Sequence, residues 1–318
     1  MSAMEPEIMV SVIVLTYNHE KYIRQALDSI LMQKVDFRYE ILVGDDCSTD
    51  ETPSILLEYQ NKYPDIFCIR LRQKNIGATK NAYELHMDAK GKYIANLDGD
   101  DYWTDEDKLF LQVSFLESNN EFVGCSHKCR VVDENEKNLT NYNIDWIKYK
   151  EIFTLEDFSG IYLPGQISTY VRRNLYSIEN GIDYSILYKI HSMISDRIAV
   201  MLFLLQGNFY CMDRYMSCYR VSSSGNITSL VYKNNKKSIW DDCLITSEME
   251  KYVQKNKLGN VNFLKWKQVL FVKAIGKMIL RPEKKDAKLF IRYFLRNKDI
   301  FRYLGSFPFC LVKLILKK

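Results

Sequence analysis

A doubly wound, mostly parallel α/β sheet is the fold class this chain predicts, and three observations predict it. Four short apolar runs alternate with stretches of helical periodicity over about the first 100 residues. The first run, residues 9–15 (MVSVIVL), is aliphatic almost throughout, as a central strand covered on both faces requires. Each run also ends in polar residues, and in open α/β sheets ligands sit beyond the carboxyl ends of the strands. At 318 residues the chain is long enough for one sizeable core and an appendage.

The first strand gives way to Thr16-Tyr17-Asn18-His19, with Asn18 placed to cap a helix on which Tyr22, Ile23, Ala26, Leu27, Ile30 and Leu31 recur at helical spacing. Residues 39–44 (YEILVG) form the second strand and run into Asp45-Asp46-Cys47-Ser48-Thr49-Asp50-Glu51. Ser48 and Glu51 have capping-box spacing, so the next helix should start there and run to about Tyr63, before Pro64. Residues 67–71 read as the third strand, and Asn75-Ile76-Gly77 leads into a helix ending near Ala89. Gly91 separates that helix from the fourth strand, which delivers Asp98-Gly99-Asp100-Asp101. Beyond it the pattern predicts a helix over 105–119 with Leu109, Val113 and Leu116 inward, a strand over 122–132 and an exposed polar excursion over 133–143. A later helix, 198–205, is too short in its apolar run to span a bilayer.

Three carboxylates at a strand end cannot be buried unpaired. Released from strand alternation by Gly99, they suit a hard divalent cation that keeps some waters and takes other ligands from substrate phosphates. An acidic turn capping the next helix is the plain alternative. No G-x-G-x-x-G follows the first strand and no G-x-x-x-x-G-K-[ST] occurs, which argues against a dehydrogenase or a P-loop kinase. A diphosphate bound here must then be held through a metal. Eight cysteines without a C-x-x-C pair fit free thiols in a reducing compartment, and Cys125, His127 and Cys129 read as a packed strand rather than a zinc site. Residues 1–7 are acidic, and the run after them holds Thr16 and Asn18, so no signal peptide is expected there.

Residues 10–18 (VSVIVLTYN), residues 40–50 (EILVGDDCSTD), Asn75-x-Gly77 and the Asp98-Gly99-Asp100-Asp101 loop, in this order and spacing, resemble the family 2 glycosyltransferases of bacterial polysaccharide type. The resemblance covers roughly the first 130 residues. It implies the GT-A fold, a doubly wound mixed sheet flanked by helices. It also implies inverting, metal-dependent transfer of a sugar from a nucleotide-diphosphate sugar, UDP by default, to a saccharide or lipid-linked acceptor, in cell-surface polysaccharide or glycolipid synthesis. By the same resemblance Thr16, Tyr17 and Asn18 serve the donor, with Tyr17 stacking on the base, and Asp46 accepts from the ring N–H of the base. Asn75 and Lys80 also fall on the donor side, Lys80 at the diphosphate. Asp98 reaches the ribose or the metal, Asp100 ligates the metal (Mn²⁺ or Mg²⁺), and Asp101 binds donor or metal or supports their shell. Pro164, Gly165 and Gln166 lie near the acceptor. Asp196 is the general base, with Tyr219-Arg220 following.

The chain departs from that pattern twice: Ser195 stands where many relatives have a second carboxylate, and Ser222 to Ser224 where many have a metal-binding histidine. Taken singly, Tyr17 reads equally as packing, Asp45 and Asp46 as helix N-terminal acids, and Asp196 as an N-cap. A nucleotidyltransferase is the alternative enzyme, but it would show a glycine-rich basic loop where Thr16-Tyr17-Asn18-His19-Glu20 stands. A non-catalytic sugar-nucleotide-binding relative is the other.

These readings divide the chain into a transferase domain, 1–230, and a helical basic region, 231–318. Residues 261–318 hold 15 Lys+Arg against 3 Asp+Glu, a net of +12, which leaves −8 on the other 260 residues. Helices are expected over 235–254, 261–279, 286–294 and 301–316, with aromatics between the basic residues. Such helices suit an anionic membrane surface, here the cytoplasmic face. Nucleic acid is not expected, since no recognised binding motif accompanies the charge.

Overall fold

The N-terminal aliphatic run becomes β1 (Val10–Thr16), and Val10, Val12, Ile13 and Val14 are completely buried in it. Full burial of such side chains contributes about 1.5–3 kcal/mol each, so this run anchors the sheet. The computed structural model describes residues 7–142, 144, 146–159, 162–176, 181–192, 195–221, 239–259, 261–280 and 282–295. Two compact units are present, Met1–Thr154 with Tyr162–Ser229, and Leu155–Ile161 with Leu230–Lys318.

In the first unit β1 lies between two parallel neighbours, β2 (Tyr39–Asp45) and β4 (Tyr93–Asp98), and β2 pairs in parallel with β3 (Phe67–Leu71). Further strands are β5 (Tyr102–Trp103), β6 (Phe122–Val132), β7 (Ile152–Phe153), β8 (Val171–Arg173) and β9 (Asn208–Arg220). The sheet runs β3-β2-β1-β4-β8-β6-β9-β5, with β7 on β9. β8 is antiparallel to both β4 and β6, so the sheet is mixed.

Helices cover both faces. α1 (Ile23–Leu31), α2 (Thr52–Lys62) and α4 (Lys108–Ser118) share one core with Val10, Val12, Val14, Val43, Ala95 and Leu97. α3 (Ala78–Asp88) lies on the other face, where Asn81 Nδ2 donates to the Gly44 carbonyl at 2.9 Å. α5 (Leu155–Phe158) belongs to the second unit, while α6 (Ile186–Lys189) and α7 (Asp196–Leu204) pack in the first, α6 against α3.

Three expected helix starts move. α1 begins at Ile23, five residues after Asn18, whose side chain accepts instead from Thr49 N at 2.8 Å. Ser48 is no capping box, because its hydroxyl is taken by Asp45 and α2 starts at Thr52. α4 starts at Lys108 rather than Asp105, whose carboxylate is bound by Arg214 and by Asp107 N. Residues 133–142 form the exposed excursion, and Asn143 lies outside the described residues.

The second unit holds α5, α8 (Ile239–Asn256), α9 (Leu264–Leu280) and α10 (Asp286–Phe290), continued as a π-helical turn, Ile291–Leu295. Trp240, Trp266, Leu270, Phe271 and Phe294 lie in its core. The buried Asp286 accepts from Trp240 Nε1 at 2.8 Å and from Lys277 Nζ at 3.0 Å, pinning the turn between α9 and α10. The helix expected over 301–316 lies outside the described residues. Among the described residues no helix is long and apolar enough to cross a membrane.

Candidate functional site

The parallel ladder sets the carboxyl ends of β1, β2 and β4 side by side. Thr16 is paired with Asp45 and Leu15 with Asp98. The pairing continues past the strands, since Asp46 N donates to Thr16 O at 3.0 Å and Gly99 N to Leu15 O at 2.8 Å. Gly99 is needed for that closeness: a Cβ there would lie 2.8 Å from His19 Nδ1 and 2.9 Å from Thr16 Oγ1. His19, absent from the sequence candidates, therefore packs on the Asp98 loop, with Nδ1 3.3 Å from Thr16 Oγ1. Its only sequence signal is its place at the end of the Thr16-Tyr17-Asn18-His19 run.

The donor-side candidates divide by exposure. Tyr17, just past the end of β1, is 44% exposed, whereas Thr16 is buried. Asn18 adopts a left-handed backbone (φ 56°) and joins the first loop to the second, donating from its N–H to Ser48 Oγ at 2.8 Å. Asp46 is buried, and its carboxylate accepts from Ile76 N at 2.7 Å and Gly77 N at 3.0 Å, so it braces the loop that starts α3. Gly77 there has φ 86°, and a Cβ would meet Ser192 O at 3.0 Å, which restricts the position to glycine. Asn75 is exposed and its Oδ1 accepts from Gly77 N at 3.2 Å. Lys80 is exposed on α3, 3.9 Å from Glu84, a pairing too weak to hold it.

The acidic loop after β4 contains two kinds of carboxylate. Asp101 is 1% exposed; its oxygens accept from Arg220 N at 2.8 Å, Gln166 Nε2 at 2.9 Å and Ser168 Oγ at 3.1 Å. That carboxylate is satisfied from within the fold, so it secures the loop rather than presenting a binding surface. Asp98 and Asp100 differ, for among the described residues neither carboxylate has a hydrogen-bond or ion-pair partner. Burial, then the charges on Asp100 and Asp196, hold the Asp98 carboxyl well above the usual carboxylate range. No three His, Cys, Asp or Glu side chains among the described residues form a metal cage. Two adjacent hard carboxylates without a counter-charge do fit a cation whose other ligands come from a diphosphate and water.

Arg220, at the end of β9, holds this loop from behind. Its Nε donates to the Asp100 carbonyl at 2.9 Å, its Nη2 to Gln25 Oε1 at 2.6 Å, and its guanidinium lies 4.5 Å from the Tyr22 ring centre. Gln166, placed by the sequence near the acceptor, is buried and serves Asp101; Pro164 and Gly165 are buried with it, their carbonyls accepting from Ser126 Oγ and Tyr170 OH. Asp196 is the first residue of α7, with Ser195 as an N-cap that makes no side-chain cap bond. Asp196 is exposed, and its charge acts on both Asp98 and the buried Tyr170. The structure thus gathers Asp98, Asp100 and Asp196 at one end of the sheet. Segment 222–224 lies outside the described residues.

Known proteins share this architecture. S. aureus TarS 1-349, solved in complex with UDP-GlcNAc, superposes with a TM-score of 0.64 at 20% identity, over 90% of this chain and 80% of that one, a likeness that establishes the GT-A fold. An uncharacterized protein of Mycobacterium tuberculosis, Rv1520, is 44% identical over 124 residues, 39% of this chain and 36% of that protein. The putative teichuronic acid biosynthesis glycosyltransferase TuaG of Bacillus subtilis is 38% identical over 108 residues, 34% of this chain and 42% of that one. The chain thus spans less than half the length of these curated relatives. Residues 11–177, more than half of the chain, match the family described as Glycosyl transferase family 2, and the chain belongs to that family.

Proposed function

We propose that the chain is an inverting glycosyltransferase that moves a sugar from a nucleotide-diphosphate sugar to an acceptor hydroxyl. The observation that carries the reading is the pair of carboxylates, Asp98 and Asp100, that among the described residues stand without a partner at the carboxyl end of β4, where the charge of the exposed Asp196 also acts. Asp196 takes the proton of the acceptor hydroxyl as that oxygen bonds to the anomeric carbon and the bond to the diphosphate breaks on the opposite side. Asp98 and Asp100 would hold Mn²⁺ or Mg²⁺, which when bound supplies Lewis-acid stabilisation of the diphosphate leaving group. Tyr17 offers its exposed ring to the base, while Thr16, Asn18, Asp46 and Asn75 shape the first and third loops around the donor. Lys80, exposed on α3, would contact the phosphates. Asp101 supports the shell. The UDP-GlcNAc bound by TarS favours a UDP-sugar, and the name of TuaG favours an acceptor in cell-surface polysaccharide synthesis. The seven described cysteines are all free thiols, which supports a cytoplasmic setting.

Turnover of a panel of nucleotide sugars, with and without Mn²⁺ or Mg²⁺, tests the reading by release of nucleoside diphosphate. Asp100→Asn and Asp196→Asn should each lower the rate about 10²–10³-fold. Calorimetry should find donor affinity weakened in the first and spared in the second. Equal donor affinity in both variants would sink the division of roles; release of pyrophosphate instead would point to a nucleotidyltransferase, and binding without turnover to a non-catalytic relative.

A further inference from the structure

We infer that the end of α9 and the turn and helix after it form a docking surface for an anionic lipid bilayer. α9 ends in exposed aliphatic residues: Ile279 is 73% exposed and Leu280 is 77% exposed. Past the turn, Ile291 and Leu295 are 46% and 45% exposed, whereas Phe294 beside them is buried in the unit's core. Lys288, Ile291, Arg292 and Leu295 are all exposed and recur at spacings of three and four. Cations and aliphatics therefore share one face of the helix, the pattern of an element lying in the headgroup region.

The charge on this face is uncompensated. The two acids of the region are already engaged: Glu283 pairs with Lys277 at 2.7 Å and Lys285 at 3.2 Å, and the buried Asp286 with Lys277 at 3.0 Å. Lys284, Lys288 and Arg292 are left exposed, and among the described residues none of them has a carboxylate partner. A protein interface core is depleted of lysine, while a membrane surface accepts aliphatic side chains and takes the neighbouring ammonium groups at its phosphates. The sequence after residue 295 has the same bias, with Arg296, Lys298, Arg302, Lys313, Lys317 and Lys318 against Asp299. Charge complementarity therefore selects anionic lipid over a neutral bilayer or the same cationic face of a second copy.

Adsorption to a bilayer is read without turnover and so separately from the transfer chemistry. Full-length chain is sedimented with phosphatidylcholine vesicles containing phosphatidylglycerol, and with phosphatidylcholine vesicles alone. Binding should require phosphatidylglycerol and fall steeply with salt. Ile279→Asp with Leu280→Asp, and separately Lys284→Glu with Lys288→Glu and Arg292→Glu, should each lower vesicle affinity at least tenfold while the far-ultraviolet spectrum is retained. Wild-type chain that ignores phosphatidylglycerol vesicles, or variants that bind as wild type, overturn the inference. So does a concentration-dependent dimer, seen by ultracentrifugation, that the aspartate pair abolishes without any vesicle binding in the wild type.

Discussion

Arg220 shows how one buried residue can fix a whole loop from behind. It is 1% exposed, and its backbone N–H and Nε address successive residues of the acidic loop, Asp101 Oδ1 and the Asp100 carbonyl. Lysine at this position keeps the charge but has one nitrogen for the two partners that Nε and Nη2 serve separately. Arg220→Lys should therefore loosen the loop while leaving the core packed. Losing one charge-assisted hydrogen bond costs about 1.5–3 kcal/mol, so metal-supported donor affinity should fall at least tenfold. Calorimetry in Mn²⁺ reads this directly, and a merely structural residue would lower the melting temperature without changing donor affinity in the folded fraction. Asp46 gives a related lesson: as a sequence pattern it resembles a nucleotide contact, yet its carboxylate is occupied by Ile76 and Gly77 backbone N–H groups. Which amide a loop offers depends on the fold of that loop, and residue type does not encode it.

At the scale of elements, the close approach of the loop after β4 to the end of β1 rests on Gly99. Gly99→Ala would bring a methyl within 3.0 Å of Thr16 Cβ and closer to His19 Nδ1, forcing both side chains to move. Overpacking of this kind costs about 1–3 kcal/mol, measurable as a lower denaturant midpoint with an unchanged slope. Adding His19→Ala should recover part of the loss, and strict additivity of the two changes would exclude the contact between them. The parallel half of the sheet was legible in advance because β1 to β4 are short, largely apolar runs set between helical stretches. β9 was not, since Asp213 and Arg214 interrupt its alternation where the β6 register shifts around Lys128. The expected caps failed for a different reason: the Asn18 side chain bonds to the second loop, a choice that only tertiary proximity decides, and the Ser48 hydroxyl turns back to Asp45. Asp98 and Asp100 stood out because apolar strands do not end in uncompensated acids without cause, whereas Asp196 came from family likeness alone.

For the whole molecule, the buried titratable groups predict how stability follows pH. His86 is pushed down to about 3, first by burial and then by Arg172, whose Nη2 lies 2.8 Å from its Nε2. The folded state thus rejects a proton that the unfolded chain accepts near the ordinary histidine value of about 6.5. Stability from this group is complete above that value and is lost as pH falls toward 3. Lys108 is completely buried, donates to Gln112 Oε1 at 2.8 Å, and is lowered to about 7 by burial. Here the unfolded chain holds the proton up to about 10.4, so stability rises with pH between the folded and unfolded values. The Asp98 carboxyl, held well above the usual range, contributes in the opposite sense, so the two contributions are read from thermal melts at pH 4 to 9 as the difference between wild type and each variant, about 2–4 °C per kcal/mol in a domain of this size. His86→Gln should flatten the acid limb and Lys108→Met the alkaline one; parallel curves for all three proteins would refute both assignments.

Among the described residues β5 has no strand partner other than β9, and the loop that precedes it is fastened by the last residue of that strand. Asp101 and Arg220 are separated by 119 positions in the chain. During synthesis at roughly 5–20 residues per second, the acidic loop waits on the order of 10 s for the residue that fixes it. A ribosome-bound chain of half length therefore exposes Tyr102 and Trp103 with no strand to receive them. Nascent chains stalled before residue 208 should be open to protease at this loop, and those stalled well past residue 220 should be protected.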